Sequence, residues 1–155
     1  MIILGLHGGV TLNQHDPAAA IIRDGELVAT IEEERLNRVK GPRGYLPIYA
    51  IKACLREAQI SIRDVNLVVQ AGATHDDMPE RIRKYLTYYF GYAPPVRMID
   101  HQLSHLAAGF YHSGFERAMC LSYDAFGDRQ SAALAVGDAD GLRVLESRDS
   151  SNSLG

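Results

Sequence analysis

The stretch MIILGLHGGVTLNQHDPAAAIIRDGELVATIEEER, Met1 to Arg35, decides the fold. Met1 to His7 is an apolar run ended by Gly8-Gly9, the pattern of a buried strand followed by a tight turn. Thr11 to Pro17 is a compact polar loop. Ala18 to Arg23 resumes as a strand, Asp24-Gly25 is a two-residue hairpin signal, and Glu26 to Glu32 is its partner. Three successive strands in an antiparallel meander therefore open the protein.

Working outward, Glu33 to Gly44 is charged and glycine-bearing, and Pro47 stands where a helix starts, with Ile48, Ile51, Cys54, Leu55 and Ala58 at helical spacing. Leu67 to Gln70 reads as a short β-branched strand, and Met78 to Tyr89 as a helix through Ile82, Tyr85, Leu86 and Tyr89. Val96 to Ile99 follows as a strand, and His101 to His112 has helical composition. The order is βββαβαβα, which predicts an α/β domain with a mixed sheet and covering helices. From Ala118 the pattern returns to strands, at Ala118 to Tyr123, Ser131 to Val136 and Leu142 to Ser147. These repeat the opening meander. The expected division is a first half-domain over 1–115 and the start of a second over 116–155. The second half has no helices after its strands, so the chain reads as the front portion of something longer, with an open edge and apolar face that invite self-association or a missing segment.

The chain has 155 residues, 46% hydrophobic and 23% charged, which excludes disorder. With 16 Lys plus Arg against 19 Asp plus Glu, the formal charge of −3 supplies no basic field for a nucleic-acid backbone. No apolar run approaches the roughly 20 residues of a membrane helix, and no secretory signal is evident, so neither nucleic acid nor membrane is expected as a partner and the chain reads as cytoplasmic. Cys54 and Cys120 read as small buried hydrophobes, too far apart for CxxC chemistry.

Four constellations carry chemistry. In His101-Gln102-Leu103-Ser104-His105, residues four apart share one helix face, where two imidazoles can grip one metal ion or simply sit on a solvated or packed surface. No Glu follows His101, so the HExxH metalloprotease reading fails. In Asn13-Gln14-His15-Asp16, His15 suits a general base whose tautomer Asp16 fixes, or both residues serve turn chemistry. Asp124-Ala125-Phe126-Gly127-Asp128 either presents backbone N–H groups to phosphate and a carboxylate to a metal or its water, or is a plain hairpin. Glu32 to Arg35 with Arg38, Lys40 and Arg43 is a solvated charge run, or a cradle for an acyl phosphate. His7 stands near the first loop. His75 and His112 read as ordinary surface residues, and Tyr85, Tyr88, Tyr89 and Tyr92 as a packing patch or a stacking platform.

Taken in order, Ile3-Leu4-Gly5-Leu6, His15-Asp16-Pro17-Ala18-Ala19, Asp24-Gly25, Glu32 to Arg35, His101 to His105, Asp124 to Gly127 and Ser153-Leu154-Gly155 resemble the nodulation and antibiotic O-carbamoyltransferases over almost the whole chain. The resemblance implies an actin/hexokinase-like (ribonuclease-H-like) α/β half followed by a truncated second half. It also implies transfer of a carbamoyl group from carbamoyl phosphate, through an ATP-derived carbamoyl adenylate, to a hydroxyl of a small-molecule acceptor in biosynthesis. A further C-terminal domain, or a partner domain, would make the adenylate, and the isolated piece would be inactive. By the same likeness His101 and His105 bind iron or zinc, with a third ligand, an aspartate, beyond Gly155. His15 takes the acceptor's proton beside Asp16, Asp124 and Gly127 face the nucleotide phosphate or metal water with magnesium as a companion ion, and Arg38 and Lys40 hold the anionic donor. Many relatives carry a second histidine where this chain has Gln102. The alternatives are a fragment resembling the tRNA threonylcarbamoyl-transferases and a non-catalytic module that keeps the fold.

Overall fold

The computed structural model describes residues 1–9 and 15–153, with the side chains of Phe126 and Asn152 outside that description. Asn13 and Gln14 of the first polar cluster, and Leu154 and Gly155 of the closing motif, lie outside the described residues. The chain packs as two units, Met1–Gln70 with Asp76–Met98, and Ala71–His75 with Ile99–Gly155.

In the first unit, β1 (Ile2–His7), β2 (Ala18–Arg23), β3 (Glu26–Glu32), β4 (Leu67–Ala71) and β5 (Val96–Ile99) form a sheet ordered β3-β2-β1-β4-β5. β1 runs antiparallel to β2 and parallel to β4, which makes the sheet mixed. Asp24 and Gly25 join β2 to β3 with φ of 52° and 92°, the left-handed pair that a two-residue hairpin with the sheet's own twist requires. Strand periodicity puts Leu4, Leu6, Ala19, Ile21 and Val68 in one core cluster. Onto it pack Ile51, Cys54 and Leu55 of α2 (Ile48–Glu57) and Met78, Ile82 and Leu86 of α3 (Met78–Phe90).

The charged stretch expected as loop contains one further helical turn, α1 (Glu34–Asn37). Just before it, Glu33 is buried and accepts the Tyr49 and Ala50 N–H groups at the start of α2, at 3.1 and 2.7 Å. A carboxylate there meets otherwise unpaired donors and the positive end of the helix. Of the tyrosines, Tyr85 and Tyr92 pack against the core while Tyr88 is 82% exposed, so the patch is not a single packed cluster.

The second unit contains α4 (His101–Ser113) and an antiparallel sheet ordered β6-β7-β8, from Ala118–Gly127, Gln130–Asp138 and Gly141–Asp149. The reading that left these strands without helical cover is corrected: Leu106 of α4 packs with Ala133 and Ala135 of β7, and Cys120 and Leu142 join them. Gly137 gives room for Phe110, since a Cβ there would lie 2.6 Å from its ring. Cys120 is half-buried rather than buried, because it lies at the margin of this small cluster; Cys54 is buried as expected. On β6, Met119 and Leu121 are 72% and 73% exposed, the alternation that a sheet covered on one face produces. No helix among the described residues is long and apolar enough to cross a membrane.

Candidate metal centre

α4 begins where β5 ends, at Asp100, whose side chain accepts the Leu103 N–H at 2.8 Å and caps the helix. The first turn therefore has a defined start, and His101 and His105 project from one face of it. Their rings sit edge to face with centroids 4.7 Å apart. Ladder pairing between β6 and β7 becomes irregular between Tyr123 and Gly127, and Asp124 sits in that stretch.

His101, His105 and Asp124 converge. His101 Nε2 lies 2.6 Å from Asp124 Oδ2, His105 Nε2 lies 3.0 Å from His101 Nε2, and His105 Nε2 lies 3.3 Å from Asp124 Oδ2. The side chains of His101 and Asp124 are mostly covered, at 23% and 27% exposure, while His105 is half exposed. One side of the triangle is thus open to solvent or substrate. No assignment of ring protons satisfies all three contacts. If His101 Nε2 donates to Asp124, an unprotonated His105 Nε2 turns its lone pair on the carboxylate at 3.3 Å and a protonated one sets N–H against N–H at 3.0 Å; if only His105 Nε2 carries a proton, the 2.6 Å contact sets lone pair against lone pair.

A cation resolves that conflict. Two imidazoles and a carboxylate form a donor set suited to zinc or iron. Bonds of about 2.0–2.2 Å space ligand atoms by roughly 3.0 Å in an octahedral site and 3.3–3.5 Å in a tetrahedral one, so the 3.0 Å edge matches the first, the 3.3 Å edge matches the second, and the 2.6 Å edge would have to widen for either. Burial alone would push the Asp124 carboxyl up. The hydrogen bond with His101 and that from the Ala125 N–H, with the His101 charge and the His105 contact, outweigh burial and hold it below the usual carboxylate value, in its ionised form.

The surroundings fix these groups. Gly127 lies against His101: a Cβ there would stand 2.2 Å from His101 Cγ and Cδ2 and 2.6 Å from Nδ1. The glycine is needed for that approach. Gln102, fully buried, accepts the Ser122 hydroxyl at 2.7 Å, so its side chain turns into the packing between α4 and β6. Gln130 donates to Asp100 at 3.1 Å. Asp128 accepts the His101 N–H at 2.8 Å, the Ala73 and Thr74 N–H groups at 2.8 and 3.0 Å, and the Thr74 hydroxyl at 2.8 Å. Burial raises its carboxyl and these bonds more than offset the rise, leaving it below the usual value.

Asp124 and Gly127, expected to face a nucleotide phosphate or metal water, are thereby joined with His101 and His105, and the aspartate beside the two histidines is Asp124, where the sequence reading looked for one beyond Gly155. The other expected residues lie in the first unit. His15 Nδ1 is 2.6 Å from Asp16 Oδ2, and both side chains are exposed. His15 also bridges to Arg43, and Asp16 lines a cavity of about 220 Å³ with Pro17, Glu32, Glu34, Arg35 and Pro42. Arg38, with φ of 62°, and Lys40 are exposed after α1 and take part in no ion pair among the described residues. The sequence reading gave no role of their own to Asp128 and to the buried Gln102 and Ser122. A carboxylate at a turn that follows a glycine is the one local signal for the first.

Comparison with known proteins bears on the family and the fold. The Carbamoyltransferase N-terminus family matches residues 6–92. The nodulation protein NolNO of Sinorhizobium fredii is 33% identical, aligned over all of this chain and 28% of its own length. The Synechocystis protein sll1178 is 26% identical over 86% of this chain and 28% of its length. The chain thus spans about a quarter of these curated relatives. Among solved structures, YeaZ from Pseudomonas aeruginosa superposes with a TM-score of 0.51 at 16% identity, covering 94% of this chain and 64% of that protein. The activator of the 2-hydroxyisocaproyl-CoA dehydratase from Clostridium difficile with bound ADPNP gives 0.51 at 17% identity, covering 95% and 44%. The fold is accordingly the one these two proteins share. With a family match over more than half its residues and a relative aligned along its whole length, the chain belongs to the carbamoyltransferase family, in its N-terminal portion.

Proposed function

We propose that this chain is the metal-holding front part of an O-carbamoyltransferase that moves a carbamoyl group from carbamoyl phosphate, through an ATP-derived adenylate, to a hydroxyl of a small-molecule acceptor. The observation that carries the reading is the convergence of His101 Nε2, His105 Nε2 and Asp124 Oδ2, an arrangement that no placement of ring protons satisfies beside an ionised carboxylate. A divalent ion, iron or zinc, held there supplies Lewis-acid polarisation of a carbonyl or phosphate oxygen. Asp124 contributes the negative charge, and His105 occupies the solvent-facing side of the donor set. Gly127 lets the His101 ring sit close to the turn after β6.

His15, with Nδ1 against Asp16, keeps Nε2 as the ring nitrogen that accepts the acceptor's proton, since a carboxylate at one nitrogen fixes the tautomer at the other. Arg38 and Lys40 offer exposed cations to the anionic donor. ATP, magnesium and the domain that makes the adenylate belong to the same proposal, as does a cytoplasmic setting. Bound ADPNP in one protein of the same fold is compatible with a nucleotide here.

Metal analysis of the purified chain tests the reading. The wild-type protein should retain about one equivalent of iron or zinc after dialysis, and the double variant His101→Ala/His105→Ala should lose it. Equal metal in both proteins would remove the centre from the proposal.

A further inference from the structure

We infer that Asp128 is a positioning residue, a carboxylate that holds the backbone of His101 at the start of α4 so that its ring meets Asp124. Only the later use of that ring as a metal ligand rests on the proposed function. The end of β6 and the turn after it grip His101 at three points: Asp124 at Nε2, Gly127 against the ring, and Asp128 at the backbone N–H. The last contact sets where the helix begins. A helix can shift or fray at its first residue, where N–H groups have no partner within the helix. Asp100 secures the Leu103 N–H, and Asp128 secures the donor at His101 itself.

The other bonds to Asp128 give this grip a fixed base. Its two oxygens also accept the Ala73 and Thr74 N–H groups and the Thr74 hydroxyl, so one carboxylate ties segment 71–75, the turn after β6 and the first residue of α4 together. Asp128 holds this place from a left-handed backbone conformation, with φ of 52°. An asparagine has one acceptor oxygen where the carboxylate has two, and its NH₂ group would face N–H donors. Whichever way its amide turns, Asp128→Asn offers an oxygen to half of these donors and NH₂ to the rest, so the four-bond grip is broken with almost no change in size.

The test is long-range ¹H–¹⁵N NMR of the imidazoles at about pH 8 without added metal, followed by Co²⁺ titration. In the wild-type chain His101 should show one fixed tautomer, set by Asp124. In Asp128→Asn it should average between tautomers while far-UV circular dichroism is retained, and Co²⁺ affinity should fall about 10- to 100-fold, the range for groups that orient metal ligands. An unchanged His101 tautomer in that variant overturns the inference. If wild-type protein binds no Co²⁺ yet the variant frees the His101 ring, the metal reading falls and the positioning role stands. Should Asp128→Asn not fold, amide exchange in the wild type decides. The His101, Ala73 and Thr74 N–H groups should be protected together, and exchange at the unprotected rate would overturn the proposal.

Discussion

Replacing Gly127 with alanine places a methyl group where the His101 ring already lies. The new Cβ would be 2.2 Å from Cγ and Cδ2, against about 3.5–4.0 Å for an unstrained carbon contact, so the ring must retreat by roughly 1.3–1.8 Å. Its partner is Asp124, 2.6 Å from Nε2, and a displacement of that size is larger than the whole range of hydrogen-bond lengths. Ligating groups tolerate errors of only about 0.5 Å, so one of three donors is lost or badly aimed. The expected result is a 10- to 100-fold weaker Co²⁺ affinity, about 1.4–2.7 kcal/mol, measured by visible absorption during titration. Overpacking should also lower stability in urea by about 1–3 kcal/mol. Gly109→Ala is the control: it lies on the same helix, exposed, with nothing within 4 Å of a new Cβ. It should raise stability by about 0.5–1 kcal/mol and leave Co²⁺ binding unchanged. A Gly127→Ala protein with wild-type affinity and stability would refute the idea that the glycine makes room for the ligand.

Two further outcomes follow from the first unit. Glu33→Ala leaves two N–H groups at the start of α2 without their buried acceptor and should cost about 2–4 kcal/mol in urea unfolding; a loss below about 1 kcal/mol would show that water replaces the carboxylate. Hydrogen bonds from the Ser61 hydroxyl and N–H hold Asp64 below its ordinary 3.8, so its contribution is present above that value and fades as pH falls through the lowered one. The stability difference between wild type and Asp64→Ala should be full at pH 7 and shrink below pH 3.8, and a difference that is flat from neutral to strongly acidic pH would contradict the assignment.

The parts of the fold legible in sequence are those set by local pattern. β2, β3 and β5 have the limits read from alternation and from Asp24-Gly25, because the turn and the two-residue period act within a few positions. The His101–His105 pair is legible for the same reason, since helical spacing alone puts both rings on one face. β6 runs on to Gly127, past the expected end at Tyr123, since pairing resumes after an irregular stretch that has no apolar signal. α1 was hidden in a charged run, and a single helical turn has too few periods to announce itself. Gly127 reads as a turn glycine because its reason is a ring 26 positions away, and Asp128 reads as a turn residue because its partners are residues 73, 74 and 101. Packing across sequence, rather than composition, assigns those two.

The donors of the centre are close together along the chain, and this bears on the order in which the second unit assembles. His101 meets Asp124 across 23 positions, whereas Asp128 meets Thr74 across 54. Closing the longer span loses about 0.8 kcal/mol more chain entropy. The two imidazoles and the carboxylate can therefore find one another from within a helix and the strand that follows it, before segment 71–75 is drawn in. An ion captured at that moment would favour the native hairpin over competing pairings, and the residue 74 contact would then lock a geometry already chosen.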